Sequence, residues 1–389
     1  MRVAVFGGGY AGIVAVSRLE RELPESVSIT LVDERSSHLV RHELHRAIRR
    51  PAVASSLSIP FEEILGRAEF RQQRVSAFDL DAGTATFEDG DTFEYDAGIV
   101  AIGTEPADYG LEGVMEYGTP LDSIQDARTI ADSMHSLLDS GAGQAVVVGA
   151  GLAGVQVAGE LAELRAESGA TDVSIRLLEQ ADSVVPTAPD RFSEAIREQL
   201  RDKGIEIRTN TNVSGATAES VELESGEPLP YSVFVWTGGI TGSQPVSGER
   251  PTVRADLRLG DRTFGAGDAV RLIDQNGDLV TPAAQSAVAM APVAADNAVL
   301  RAEREISNGF RPSYHRYRDS TTARTVTVGN GAVARIGPAI LTGPAARTLK
   351  SVIGSRYLST AGAIEASVSL VRMEFGLAHP RAGATLDPS

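Results

Sequence analysis

The chain has no cysteine, which removes disulfides, cysteine-ligated iron-sulfur clusters, thiolate zinc sites and every dithiol redox mechanism. Lysine is almost as scarce: Lys203 and Lys350 are the only two among 36 basic residues, so arginine carries the positive charge. With 52 acidic residues the net charge is -16, which repels phosphate backbones and argues against nucleic-acid binding. So acidic and lysine-poor a surface resembles halophilic adaptation; the plainer reading is a well-solvated surface. Long apolar runs are missing too. No stretch approaches the roughly 18 uninterrupted apolar residues of a spanning helix, and the N-terminus reads as a strand rather than a signal peptide. A cytoplasmic protein is expected.

What is present is glycine, 39 residues of it, in a chain of 389 residues that is 42% hydrophobic. That length buries a substantial core and predicts two or three domains. An apolar strand, Arg2 to Phe6, runs into Gly7-Gly8-Gly9-Tyr10-Ala11-Gly12 and then into a helix with a periodic apolar face. Gly7 permits the tight strand-to-helix turn, Gly9 lets backbone approach a pyrophosphate, and Gly12 lets helix and strand pack closely. The helix N-terminus then offers unpaired N-H groups to the phosphates. A second strand, Ser28 to Val32, ends in Asp33 and Glu34, at the distance where such folds place a carboxylate on the adenosine ribose. Asp33 is the first choice and Glu34 the alternative. A glycine-rich turn in an ordinary parallel sheet would share the glycines, but not the strand before, the helix after and the acid downstream.

His38, His42 and His45 follow closely. On a helix they would share a face, which invites a metal site; with no convincing outer ligand shell, a polar helix lining the cofactor cleft is the preferred expectation. Alternating strands then run from Arg74 to Leu80, Thr84 to Phe87 and Thr92 to Tyr95, around an Asp89-Gly90 turn, and predict a three-stranded meander. It leads into Ala97 to Thr104, a continuous apolar strand ending in Gly103-Thr104, as suits a parallel strand buried on both faces.

The same series recurs. Ala145 to Val148 is an apolar strand, Gly149-Ala150-Gly151-Leu152-Ala153-Gly154 repeats the glycine spacing, and Val155 to Leu164 continues as a helix. Val173 to Leu178 ends in Glu179, alternation returns at Ile205 to Val213 and Val221 to Glu224, and Tyr231 to Trp236 runs into Thr237-Gly238-Gly239. So long an ordered series repeating together implies two dinucleotide sites. A strand ending in Gly267-Asp268 and a helix from about Pro282 to Arg304 follow, as expected if the second unit interrupts the first.

These residues resemble the two-dinucleotide-binding-domain flavoproteins of the pyridine nucleotide disulfide oxidoreductase superfamily, over residues 1 to about 305. The resemblance implies an α/β fold of two Rossmann-like dinucleotide-binding domains with three-stranded β-meanders, the NAD domain inserted in the FAD domain, plus a small C-terminal region. The implied boundaries are 1-118 and 246-305 for FAD, 119-245 for NAD, and 306-389 for the rest. Carried over by position, Gly7, Gly9, Gly12, Asp33, Gly103 and Asp268 serve FAD; Gly149, Gly151, Gly154, Glu179 and Gly238 serve the nicotinamide nucleotide. A carboxylate at 179 repels a 2'-phosphate, and Gln180-Ala181 supply no arginine for one, so NADH is favoured over NADPH.

Within the superfamily the wording is similar to type II NADH dehydrogenases. It is carried by Ile29 to Asp33, Val100 to Thr104 with Gly113-Val114, Gly154-Val155 with Ala158 to Glu163, Val235-Trp236-Thr237, and Pro282 to Ala287. That implies hydride transfer from NADH to FAD and onward electron delivery to quinone, without proton pumping. The missing cysteines exclude disulfide reductases, cysteine-dependent NADH oxidases and sulfide:quinone reductases. Gln285 matches the quinone-side Ala-Gln motif; Gln156 stands where the family has glutamate, and Ala289 where it has a second glutamine. Gln156 can hydrogen-bond but cannot titrate near neutrality. Glu160 is either functional or an ordinary helix position. Two other readings stay open: a soluble NADH-dependent reductase of a ferredoxin-like carrier, and a non-catalytic flavoprotein redox sensor.

From Gly331 onward six basic residues face three acidic ones, a net +3 that leaves -19 for residues 1-330. A hairpin is expected at Ala323 to Ile336, then a helix with Ala345, Ala346, Leu349, Val352 and Ile353 on one side and Arg347 and Lys350 on the other. Such a basic amphipathic helix suits a membrane interface; the alternative is packing on the body or in a homodimer.

Overall fold

The computed structural model describes residues 1-360 apart from 247, 308-311 and 321-322. The apolar run of β1 (Arg2–Phe6) is buried on both faces, and α1 (Tyr10–Glu22) returns the chain to β2 (Ser28–Asp33) beside it, with Arg2 opposite Ser28 and Phe6 opposite Val32. The chain next makes a short antiparallel pair, Ser37–Leu39 with Ser58–Pro60, enclosing a 3-10 turn at Arg41–Glu43 and the single-turn helix α2 (Arg46–Arg49). The continuous helix expected across the three histidines is therefore absent. Strand pairing claims His38, whose Nδ1 also bonds the Gly8 carbonyl at 2.9 Å, and this tertiary hydrogen bonding overrides the helical spacing.

β3 (Glu69–Gln72) extends the sheet outside β2, and β4 (Ala97–Val100) pairs on the other side of β1. The expected meander lies between them as Val75–Asp79, Thr84–Phe87 and Thr92–Glu94. The chain leaves through Thr104–Pro106 and builds α3 (Ile124–Ser140), β5 (Ala142–Val148), α4 (Leu152–Ser168), β6 (Asp172–Leu178), α5 (Asp190–Asp202), β7 (Glu206–Arg208) and β8 (Val233–Trp236). The parallel order β7-β6-β5-β8 reproduces β3-β2-β1-β4 strand for strand. A second meander, Val213–Ala216, Ser220–Leu223 and Leu229–Pro230, accompanies it. The single alternating strand expected at Ile205 to Val213 is divided: its start is the parallel edge β7, and the meander begins only at Val213.

The return strand Ile240–Gly242 pairs antiparallel with Thr104–Pro106, so exit and re-entry form one ribbon. β9 (Thr263–Gly265) completes the first sheet beside β4. α6 (Ala284–Ser307) then packs along α1 through a stripe of buried alanines, among them Ala287, Ala291, Ala294, Ala295 and Ala298, whose short side chains let the axes approach; Arg18 and Asp296 close the contact at 2.8 Å.

β10 (Ala323–Val328) and β11 (Gly331–Ile336) form the expected hairpin, with β12 (Ala339–Thr342) as an unexpected third strand. The hairpin turn sits on α4. A Cβ on Gly159 would fall inside 3.0 Å of the Gly329 amide. α4 is thus covered by its sheet on one side and the hairpin on the other, which is why apolar residues surround it almost evenly instead of forming one stripe. In α7 (Gly343–Thr360) the expected polar side is partly inverted. Lys350 is buried, with its Nζ 2.8 Å from Glu43, while Val352 is 59% exposed. The ion pair to the 41-43 turn decides which face of the helix turns inward. The part of the C-terminal region beyond 360, with Arg372 and Arg381, lies outside the described residues.

Candidate dinucleotide-binding sites

The two glycine loops are nearly superimposable in their bonding. Gly7 has φ +100° and Gly149 φ +95°; the amide of Gly7 donates to Val32 at 2.7 Å and that of Gly149 to Leu178 at 2.8 Å. A Cβ on Gly7 would run into the backbone of Ala101, and one on Gly149 into that of Thr237. On Gly12 or Gly154 it would strike the carbonyl of Gly7 or Gly149, well inside 3.0 Å. Gly9 and Gly151 differ: none of the described residues lies within 4 Å of a Cβ built on either. The first and third glycines therefore serve the protein's own packing, and the middle one faces open space where a pyrophosphate fits.

The helices that begin there are left open at their N-termini. Gly9 caps α1 and Gly151 caps α4 without a side-chain bond, and neither helix has an acid in its first turn. By contrast α3 is closed by its own residues, through a capping box of Ser123 and Asp126. The first-turn amides of α1 and α4, which no capping side chain satisfies, are available to a phosphate in both cradles.

The acid at the tip of each second strand is buried and clamps its glycine loop. Asp33 Oδ2 accepts from the Gly8 amide at 2.6 Å and Oδ1 from Arg35 at 2.8 Å. Glu179 Oε2 accepts from the Ala150 amide at 2.7 Å and Oε1 from Ala181 at 2.9 Å. The alternative, Glu34, is exposed and ion-pairs with Arg74 at 3.2 Å. Asp33 is the residue beside the loop. Carboxylate lone pairs not used by these amides remain for a ribose hydroxyl.

Past β4 the chain reaches Gly103 at φ +75°, its Cβ position open. The structural match of Gly103 in the second unit is Gly239, because Ala101 and Thr237 occupy the same place over the two first glycines. Gly238 corresponds to Ile102 and is required for another reason: a Cβ there would meet the Trp236 ring at 2.5 Å. The double glycine 238-239 is the signal that could have shown this offset. Asp268 stands in a 3-10 turn after β9; burial raises its carboxyl pKa, against the opposing pull of Arg250, Arg41 and the Ala283 amide. Gly267, at φ +68°, lets that turn pack between Ala11 and Ala287, which brings Asp268 to the starts of α1 and α6. Gln285 lies in the first turn of α6, half-buried, and its amide has no hydrogen-bond partner among the described residues.

Gln156 and Glu160 take partners outside their own helix. Gln156 donates to Thr327 Oγ1 at 3.3 Å, and Glu160 accepts from Arg49 Nε at 2.6 Å. His38 and His45 are buried and His42 is partly exposed: His45 Nε2 is 2.9 Å from Thr327 Oγ1, and His42 bonds the hydroxyl of Tyr10, the first residue of α1. Among the described residues no group of three or more His, Asp or Glu is placed to hold a metal, and no helix is long and apolar enough to cross a membrane.

Comparison with known proteins agrees with this geometry. The family described as pyridine nucleotide-disulphide oxidoreductase matches residues 1-287. The demethylphylloquinone reductase NdbB of Synechocystis is 27% identical over 311 residues, covering 74% of this chain and 76% of that protein. A type II NADH:quinone oxidoreductase of Staphylococcus aureus is 25% identical over 394 residues, 93% of this chain and 96% of its own. Among solved structures, NDH2 of Plasmodium falciparum in complex with NADH superposes with a TM-score of 0.80 at 14% identity, covering 97% of this chain and 98% of that one. With two cradles of one design on two copies of one sheet, and a family match spanning both, the chain belongs to the pyridine nucleotide-disulphide oxidoreductase family.

Proposed function

We propose that the protein is an FAD-dependent NADH dehydrogenase that passes electrons on to a quinone. The observation that carries this is the duplication of the open glycine cradle, which gives one chain two dinucleotide sites. When bound, FAD supplies a ring that accepts hydride from the nicotinamide and hands electrons onward. The chain holds and orients both nucleotides. Gly9 and the uncapped start of α1 take the first pyrophosphate, Asp33 the adenosine ribose, and Gly103 and Asp268 the part of FAD nearer the ring. Gly151, Glu179 and the 238-239 pair hold NADH, and Gln285, in the first turn of α6, lies on the acceptor side. With no cysteine in the chain, binding and orientation are what the protein contributes to rate. A lipid-soluble acceptor puts the working place at the cytoplasmic face of the membrane, with the net-positive C-terminal region as the contact.

Anaerobic absorbance of the purified protein in high salt, with NADH and then a short-chain quinone added, tests the proposal. Bleaching by NADH followed by stoichiometric reoxidation is the expected result. Reoxidation only by a soluble carrier would replace the quinone, and a flavin that NADH never bleaches would sink the dehydrogenase reading.

Nucleotide preference gives a second test. Gln180 is exposed beside the Glu179 carboxylate, so the pair Glu179→Gln with Gln180→Arg removes a repulsion and adds a cation. The carboxamide introduced by Glu179→Gln keeps an oxygen for the Ala150 amide. The kcat/KM ratio of NADPH to NADH is expected to rise ~10-fold or more, the worth of one charged hydrogen bond. An unchanged ratio would mean that the nicotinamide-nucleotide ribose lies elsewhere.

A further inference from the structure

One face of α4 is wholly committed to groups outside it. Gln156, Glu160, Glu163 and Glu167 recur at helical spacing, and each has a partner on another element. Arg49, at the end of α2, is the centre. Its Nε donates to Glu160 at 2.6 Å, Nη1 to Glu167 at 2.8 Å and Nη2 to Asn330 at 2.8 Å. Asn330, in the hairpin turn, donates in its turn to Glu163 through its backbone at 3.0 Å and its side chain at 2.7 Å, and Lys203 closes on the same carboxylate. Three segments far apart in sequence therefore meet in one guanidinium.

We infer that Arg49 is a positioning residue for hydride transfer, fixing the nicotinamide-binding helix α4 relative to the flavin-binding unit. The inference rests on the dehydrogenase reading and deepens it. Only 6% of the Arg49 side chain and 4% of Glu160 are exposed, so salt screens their bond little. Burial raises the Glu160 carboxyl pKa even with Arg49 beside it. A pair so costly to desolvate is a weak source of stability and a good source of fixed geometry; the planar fork of arginine, with its five donors, suits it to three acceptors at once.

The lever is short. Glu160 lies nine residues from the cap Gly151, about 14 Å at 1.5 Å per residue. A tilt of about 5° at the latch therefore moves the glycine loop by roughly 1 Å, a misplacement on the scale that costs ~100-fold in rate. Two nucleotides bound in separate cradles can hold their reacting rings in register only if this angle is kept. The cradle itself, with Gly149, Gly151 and Glu179, does not include Arg49, so binding and transfer should separate.

The test is stopped-flow reduction of the bound flavin over a range of NADH concentrations in Arg49→Ala, Arg49→Lys and the milder Asn330→Ala. Amide exchange over residues 152-160 is followed in the same proteins. Arg49→Ala is expected to lower the limiting reduction rate at least ~10-fold with the NADH Kd, flavin content and quinone reoxidation unchanged, and to speed exchange along α4. Arg49→Lys should recover part of the rate, since an ammonium reaches Glu160 but cannot span the three acceptors. If Arg49→Ala does not fold, Asn330→Ala carries the same expectation at a smaller fold-change. An unchanged reduction rate in the folded variants, or a raised Kd at an unchanged rate, overturns the inference. Failure of NADH to reduce the unsubstituted protein would instead sink the dehydrogenase reading.

Discussion

Gly154→Ala is expected to leave the protein yellow but slow to accept hydride from NADH, and Gly12→Ala to leave it colourless. In both cases the added methyl is directed at a backbone carbonyl, of Gly149 or Gly7, well inside 3.0 Å, and neither helix nor strand can yield as a flexible side chain would. The helix start must move by an ångström or more, which opens the strand-helix contact that shapes the cradle. A shift of that size predicts a fall in kcat/KM for NADH of ~100-fold or more for Gly154→Ala, with flavin content at the unsubstituted level, because the first cradle is a separate structure on a separate sheet. The control is Gly151→Ala, where no atom of the described residues lies within 4 Å of the new methyl. Its Tm should be unchanged while its NADH Kd rises, since only a ligand would meet the methyl. Equal flavin loss in Gly12→Ala and Gly154→Ala would contradict the assignment of one nucleotide to each loop.

The second large effect is acid sensitivity. Desolvation lowers the pKa of His38 and His42 from 6.5 to about 4, and pushes that of His45 down as well. A base whose folded pKa is depressed stays neutral in the native state while the unfolded chain takes up its proton. Stability is therefore complete above about pH 6.5 and is lost as pH falls toward 4. His38 has no exposure, and its shift corresponds to ~3 kcal/mol across that window; His42, with 22% of its side chain exposed, contributes less. Against a typical total of ~5–15 kcal/mol this is a large loss, followed at lower pH by the Glu43 carboxylate, which Lys350 and Arg46 hold below its ordinary range against its burial. Thermal melts from pH 7.5 to 4.5 should show a steep fall in Tm below pH 6.5. Replacing His45 by Gln, which still reaches Thr327, should lower the slope by about one proton. A Tm flat between pH 7 and 5 would show that these rings are not held neutral.

The nucleotide cores were legible because their constraints are local. A tight turn, a close helix-strand approach and an acid one strand away each leave a residue at a fixed spacing, and here they do so twice. Edges and attachments were not. β3, three residues before the meander, pairs only through a neighbour far off in sequence, so its own pattern says little. The histidines have helical spacing but are recruited by Gly8, Tyr10 and Thr327. Gln156 and Glu160 draw attention only through the family resemblance, and nothing near them in sequence indicates their partners, Thr327 and Arg49, which lie 171 and 111 residues away. Likewise the inward turn of Lys350 depends on Glu43, which no helical wheel of α7 contains.

The ribbon of Thr104–Pro106 with Ile240–Gly242 has a consequence for how such a chain is assembled. Because Thr104 faces Gly242 across it, everything between departs from the first unit and rejoins it at a single point. A segment with adjoining ends can be inserted, or taken out and replaced, without changing the register of the sheet that hosts it. In engineering terms the inserted unit is a cassette on a two-strand stem, and a replacement would need to rebuild, beyond the stem, a helix face able to receive both Arg49 and the hairpin turn at Gly329.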